Sequence, residues 1–248
     1  MENIEQKKSL NAKNLKIEIF ADGARIEEMI KMNNDPLIKG LTTNPTLMRK
    51  AGIENYKSFA NDVLKQVKIK SISFEVFSDE LDEMQRQAEE IASWGENVFV
   101  KIPITNTKGV STAQLIKKLT ANGIKVNITA IMNLDQVNGI LESLNPNVPN
   151  YISIFAGRIA DTGRDPIEIV TSAIKTLEPI NSSKVIWASP RELLNIIQAN
   201  DIGCHIITAT SEILSKLHLI GYDLTSYSLD TVKMFHQDAN ASKFKLNY

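Results

Sequence analysis

At 248 residues, with 43% hydrophobic and 23% charged side chains, the chain can bury one sizeable core, and its length matches the roughly 250 residues of a single eight-stranded α/β barrel. A formal net charge of -1 provides no concentrated basic footprint, so neither nucleic acid nor an anionic membrane is expected as a partner. The single Cys204 excludes an internal disulfide, and His205, His218 and His236 show neither HExxH nor a cysteine-rich zinc spacing.

The opening MENIEQKKSLNAKN mixes charge and amide without an apolar core, so residues 1–14 are expected to be a flexible extension. No run of about eighteen apolar residues occurs, and a cytoplasmic protein is expected. From residue 15 to 248 we predict one catalytic domain.

Eight short apolar runs follow in order: KIEIFAD from Lys16, IKGLTT from Ile38, SISFEVF from Ser71, NVFVKIPI from Asn97, KVNITAI from Lys125, YISIFAG from Tyr151, KVIWAS from Lys184 and CHIITAT from Cys204. Between them lie segments with helical spacing, such as Glu80 to Trp94, Ser111 to Asn122 and Pro166 to Leu177. Asn133 with Gln136, and Ser189 with Glu192 around Pro190, resemble capping boxes. Strand runs alternating with helical segments describe βαβ units around a parallel sheet. An open doubly wound sheet would place GxGxxG after its first strand, where this chain has ADGAR; the eight units favour a closed (β/α)8 TIM barrel. Leu224 to Asn240 reads as an extra C-terminal helix that either covers one end of the barrel or reaches a neighbouring subunit, and a homo-oligomer is expected.

Barrel active sites gather at the C-terminal ends of the strands. The polar residues there are Asp22, Thr42 with Asn44, Glu75, Lys101, Asn127 with Thr129, Ser153 with Arg158, and Ser189 with Arg191. Lys101 interrupts VFVKIPI, where desolvation would lower its pKa and leave a neutral amine able to attack a carbonyl. A snorkelling lysine satisfied by one carboxylate is the alternative. Asp22 and Glu75 provide the two acids that carbon–carbon cleavage beside an imine requires, or else merely pair with a cation. Thr129 either supports Glu75 through a water or is an ordinary strand threonine. Asn44 precedes proline and fits a simple turn equally well; Asn127 needs a partner, whether a structural network or a substrate hydroxyl. Arg158, Arg191 and exposed helix amides after the seventh strand would suit a phosphate, while Ser189 caps the following helix, contacts the phosphate, or does both. Both arginines fit surface pairing as well.

FADGAR, GLTTNPT, SFEVF, VFVKIPIT, NITAI and IFAGRIADTG, in this order, resemble the transaldolase family, including its smaller members related to fructose-6-phosphate aldolase. The resemblance runs from about Lys16 to Lys233. It implies that Lys101 forms a Schiff base with the C2 carbonyl of a ketose phosphate and that Asp22 removes the C4 hydroxyl proton. Glu75 and Thr129, with a water, would then manage protons at the imine. It further implies sugar contacts from Thr42, Asn44, Asn127 and Ser153, a phosphate contact from Arg158, no cofactor or metal, and a place in the pentose phosphate pathway. Phe155 stands where the aldolases have tyrosine, and Glu75 where they tend to have glutamine; both favour transfer over release of dihydroxyacetone. After the seventh strand the usual serine, aromatic and basic residues become ASPRELL, so Ser189 matches and Arg191 is a substitute for the basic group. A non-catalytic barrel that only binds sugar phosphates would be expected to have lost the lysine or its acid, and both are present.

Overall fold

The computed structural model describes residues 11–242 and 244–246. Eight parallel strands close into a barrel in sequence order: β1 (Glu18–Asp22), β2 (Ile38–Thr42), β3 (Ser71–Glu75), β4 (Val98–Pro103), β5 (Val126–Ile131), β6 (Asn150–Ile154), β7 (Ser183–Trp187) and β8 (Ile206–Thr210). Closure is completed by β1 against β8, with Phe20 opposite Thr208 and Asp22 opposite Thr210. Each expected apolar run supplies one strand. The expected helices also form, at Leu81–Ala92, Ala113–Ala121 and Ile167–Leu177, and each buries its apolar stripe.

Strand side chains alternate between two faces, and this period places the site. Ile72 and Phe74, Val98, Val100 and Ile102, and Val126 and Ile128 are all buried on the face opposite Glu75, Lys101 and Asn127. Behind β3 this outer layer is aromatic: Phe74 meets Phe59, Tyr56 and Trp94 edge to face. The inward face starts apolar. Phe20, Phe99, Tyr151, Ile186, Ala188 and Ile206 pack as one cluster, with Phe99 and Tyr151 stacked at 4.0 Å. Gly40 on β2 makes room for it, because a Cβ there would lie 2.5 Å from the Phe20 ring. Further along each strand the same inward face becomes polar.

Asn133 and Gln136 form the expected capping box at the start of Leu134–Asn138. The second expected box does not form. Ser189 adopts a left-handed backbone with φ 60°, and the next helix starts only at Leu194, without a side-chain cap. The side chain of Asn195 instead accepts from the backbone N–H groups of Arg191 at 2.7 Å and Glu192 at 3.2 Å. Pro190 therefore sits in a loop, and Ser189 is no capping residue.

Of the expected N-terminal extension, residues 1–10 lie outside the described residues, and Ala12–Asn14 is a single 3-10 turn. The barrel, Leu15–Leu214, is one compact unit, and the described terminal segments belong to another. The C-terminal helix, Leu224–Ala241, is capped by Asp223, which accepts from Ser226 N, and buries none of its residues. Among the described residues no helix is long and apolar enough to cross a membrane.

Candidate active site

A cavity of about 470 Å3 opens at the C-terminal ends of the strands. Every residue singled out in the sequence except Thr129 lines it. The cause is register: Glu75 is opposite Lys101, Lys101 opposite Asn127, and Asp22 opposite Thr42, so the pleat sends these side chains into one interior.

Lys101 is 6% exposed, and its Nζ lies 3.1 Å from Glu75 Oε2 and donates to the Thr43 carbonyl at 3.3 Å. The amine is therefore desolvated as expected, but it is ion-paired. Glu75 is fixed in turn from behind, because the Tyr56 hydroxyl donates to its backbone carbonyl at 2.9 Å. Asp22 accepts from the Thr42 hydroxyl at 2.8 Å. Burial pushes the Asp22 carboxyl above the ordinary carboxylate range; Lys101 and the Thr42 hydrogen bond oppose that rise, and Glu75 adds to it.

Asn127 is satisfied within the protein: its amide donates to Ser73 Oγ at 3.0 Å, and its oxygen accepts from Ser153 Oγ at 2.7 Å. The structural network left open by the sequence is thus real, and it lies along the cavity wall. Asn44 caps the helix Pro45–Lys50 by accepting from Leu47 N at 3.0 Å, with Pro45 at the first helical position. Its amide nitrogen remains as a donor. Thr129 is buried, on the inward parity of Asn127, and its hydroxyl has no hydrogen-bond partner among the described residues. The next residue, Ala130, has φ 62°, where the β5–β6 ladder shifts register. Phe155 packs half-buried against the interior aromatic cluster and faces the cavity.

At the other end of the cavity Arg158 is exposed on the helix Ala156–Asp161. Arg191 forms a two-pronged ion pair with Asp161, including Nε to Oδ1 at 2.9 Å. Those hydrogen bonds hold the Asp161 carboxyl below its usual range. Arg191 is therefore not in the first turn of a helix, and no helix amides open at Ser189 to assist an anion. Gly157 explains the local backbone: a Cβ there would fall 1.6 Å from the Ser189 carbonyl oxygen. Only glycine lets this helix approach the strained serine so closely.

Sequence reasoning missed Thr208 and Thr210, which line the cavity from β8, and Thr43, whose carbonyl holds the lysine. The CHIITAT run contains both β8 threonines at alternate positions, so the pleat rule applied to that run identifies them. Nothing in the sequence marked Tyr56, and Asp161 stood inside IFAGRIADTG without an assigned role. Among the described residues no group of three potential ligands is gathered for a metal.

The family model described as transaldolase/fructose-6-phosphate aldolase matches residues 19–247. A protein of Dehalococcoides mccartyi named a probable transaldolase is 34% identical over 200 residues, covering 80% of this chain and 89% of the relative. A probable transaldolase of a Thermoanaerobacter species is 30% identical over 221 residues, covering 88% and 95%. Among solved structures, a 2,3-dimethylmalate lyase superposes with a TM-score of 0.50 at 10% identity, covering 94% of this chain and 86% of that one, a likeness of fold alone. The chain belongs to the transaldolase/fructose-6-phosphate aldolase family.

Proposed function

We propose that this protein is a transaldolase, moving a dihydroxyacetone unit from a ketose phosphate, either sedoheptulose 7-phosphate or fructose 6-phosphate, to an aldose phosphate through a Schiff base on Lys101. The observation that carries this is the pair of buried Lys101 and partly buried Glu75, at 3.1 Å, in the same cavity as Asp22. In this mechanism Glu75 takes a proton from Lys101, and the free amine attacks C2. Water is expelled as the imine forms. Asp22 removes the C4 hydroxyl proton, the C3–C4 bond breaks, and the released electron pair is delocalised onto the imine nitrogen. The aldose phosphate leaves, the bound three-carbon unit adds to the acceptor aldehyde, Asp22 returns its proton to the new hydroxyl oxygen, and water hydrolyses the imine to free the product and Lys101. Thr129, with its unpartnered hydroxyl near the register shift, would hold the water used at the imine. Arg158 and Ser189 would meet the phosphate, assisted by Arg191 where the anion competes with Asp161.

Borohydride reduction with fructose 6-phosphate is expected to leave one stable adduct, on Lys101. Lys101→Arg should lose both the adduct and about a thousandfold or more of the activity. An adduct at another lysine, or an active Lys101→Arg variant, defeats the assignment.

Asp22 allows a test in which activity and stability move in opposite directions. A carboxyl whose native pKa is raised makes the folded state bind a proton that the unfolded chain has released. Stability therefore falls as pH climbs from the ordinary carboxylate range through the folded pKa, and the full cost persists above it. Asp22→Asn should lose about 10²- to 10⁴-fold in turnover and still melt above wild type at neutral pH, with the gap closing towards acid. Calorimetry across pH reads this out; a variant less stable at every pH would show that the ionised carboxylate carries no net cost.

Phe155 has no hydroxyl with which to protonate the bound carbanion, which favours transfer over release. A coupled assay for dihydroxyacetone without acceptor should therefore be slow, and erythrose 4-phosphate should yield sedoheptulose 7-phosphate. Rapid acceptor-free release would reassign the chain as a fructose-6-phosphate aldolase-like lyase.

We also propose a homo-oligomer, supported by Leu224, Leu229, Val232 and Phe235, all exposed on the C-terminal helix. Sedimentation or solution scattering should give a multimeric mass, and a monomer would count against it.

A further inference from the structure

The β1–β2 ladder sets Asp22 opposite Thr42, and the β1–β8 ladder sets it opposite Thr210, one inward position beyond Thr208. Strand β1 thus runs between two threonine-bearing strands. Their hydroxyls meet across the barrel interior: Thr42 Oγ1 and Thr208 Oγ1 are 2.5 Å apart, and both residues are buried. Thr42 Oγ1 also donates to Asp22 Oδ1 at 2.8 Å. A hydroxyl carries one proton and two lone pairs, so while Thr42 gives its proton to Asp22, the bond between the threonines must be donated by Thr208. The chain runs Thr208 to Thr42 to Asp22, with its acceptor end on the carboxylate.

We propose that Thr208 is a positioning residue that acts through Thr42, holding the Thr42 hydroxyl in the orientation that donates to the Asp22 carboxylate. Its hydroxyl is bonded to Thr42, and among the described residues no hydrogen bond joins it to Asp22. Its effect is to occupy a lone pair of Thr42 and leave that hydroxyl one productive orientation, and chained hydrogen bonds polarise one another, strengthening the contact with the charged form. When Asp22 holds a proton the chain can run the other way, from carboxyl to Thr42 to Thr208, because both threonines donate and accept. The chain can thus follow either state of the base by reversing its direction. The catalytic relevance rests on Asp22 being the base of the proposed reaction; the hydrogen-bond chain itself does not.

Other charges act on Asp22 and must stay constant in a test. Lys101 from β4 and Glu75 from β3 act on it through space. Arg25, Glu28, Lys50 and Glu212 line a second pocket of about 260 Å3 that Asp22 shares. Thr208→Val leaves every one of them in place and replaces a hydroxyl by a methyl of similar volume.

The protonation of Asp22 can be followed by infrared titration of its carboxylic C=O band, assigned by its loss in Asp22→Asn; this readout needs no turnover. Thr208→Val is expected to raise the midpoint by about half a pH unit or more and to move the acid limb of kcat/KM upward by the same amount. Thr208→Ser, which keeps the hydroxyl, should restore both. Should the valine variant fail to fold, Thr208→Ala carries the same expectation. An unchanged midpoint in a folded valine or alanine variant, or a serine variant that behaves like valine, overturns the proposal. A shifted midpoint in an enzyme that forms no Lys101 adduct would leave the chain of hydroxyls standing and remove the transaldolase mechanism.

Discussion

The site depends on an ammonium group placed where it cannot be solvated. Lys101 lies in the middle of a six-residue strand whose neighbours are all apolar, and the pleat gives its side chain only the barrel interior. Removing such a charge from water costs several kcal/mol unless it is paired and hydrogen-bonded. Glu75 and the Thr43 carbonyl meet that requirement, and each makes a demand on its own strand. Glu75 must end β3 in register with Lys101, while the β2 terminus must turn so that the Thr43 carbonyl points inward. Tyr56, from the helix Tyr56–Gln66, closes the sequence by fixing the Glu75 backbone, with the aromatic layer behind β3 as its support. Loss of Glu75 would strand the buried Lys101 charge, at up to about 3–5 kcal/mol, the range for a fully buried pair. The geometry of the candidate site and the register of the barrel are therefore one constraint.

The opposite end of the cavity is built by different physics. There the groups are exposed, the charges are screened, and position comes from backbone contact. Gly157 lets the helix after β6 rest against the Ser189 carbonyl, and Ser189 accepts a left-handed backbone that costs of order 1–3 kcal/mol. Arg191 reaches Asp161 on that same helix, so the loops after β6 and β7 are tied twice, once by steric fit and once by charge. An incoming phosphate would meet Arg158 directly and Arg191 only in competition with Asp161.

This division explains what the sequence could convey. The eight strands were legible because each is a short apolar run rich in β-branched residues, and the polar residue at each C-terminal end was legible because closed barrels place chemistry there. Lys101, Glu75 and Asp22 were thus found together. The region after β7 was misread because SPRE has the composition of a capping box, whereas the decisive contact, Ser189 against Gly157, joins residues 32 positions apart and leaves no local trace. The Asp161–Arg191 pair escaped for the same reason. Thr208 was a different omission: its inward position follows from the same alternation that exposed Lys101, but a threonine in a strand is so ordinary that only its neighbour across the interior gives it meaning.

The fate of the bound three-carbon unit brings these elements together. In the proposed mechanism Asp22 holds the C4 hydroxyl proton when the aldose phosphate departs, and its raised pKa means that it gives that proton up reluctantly to solvent. The same proton is required at the new hydroxyl when the acceptor aldehyde adds, so a site that retains it is prepared for transfer. Release instead requires a proton at carbon, delivered from the neighbouring wall, where this chain presents the phenyl ring of Phe155. Burial of the base, its hydroxyl partners and an aromatic wall without a proton all favour the same outcome. In the proposed mechanism the choice of transfer over release therefore rests on where protons are kept, since both reactions would share the same lysine chemistry.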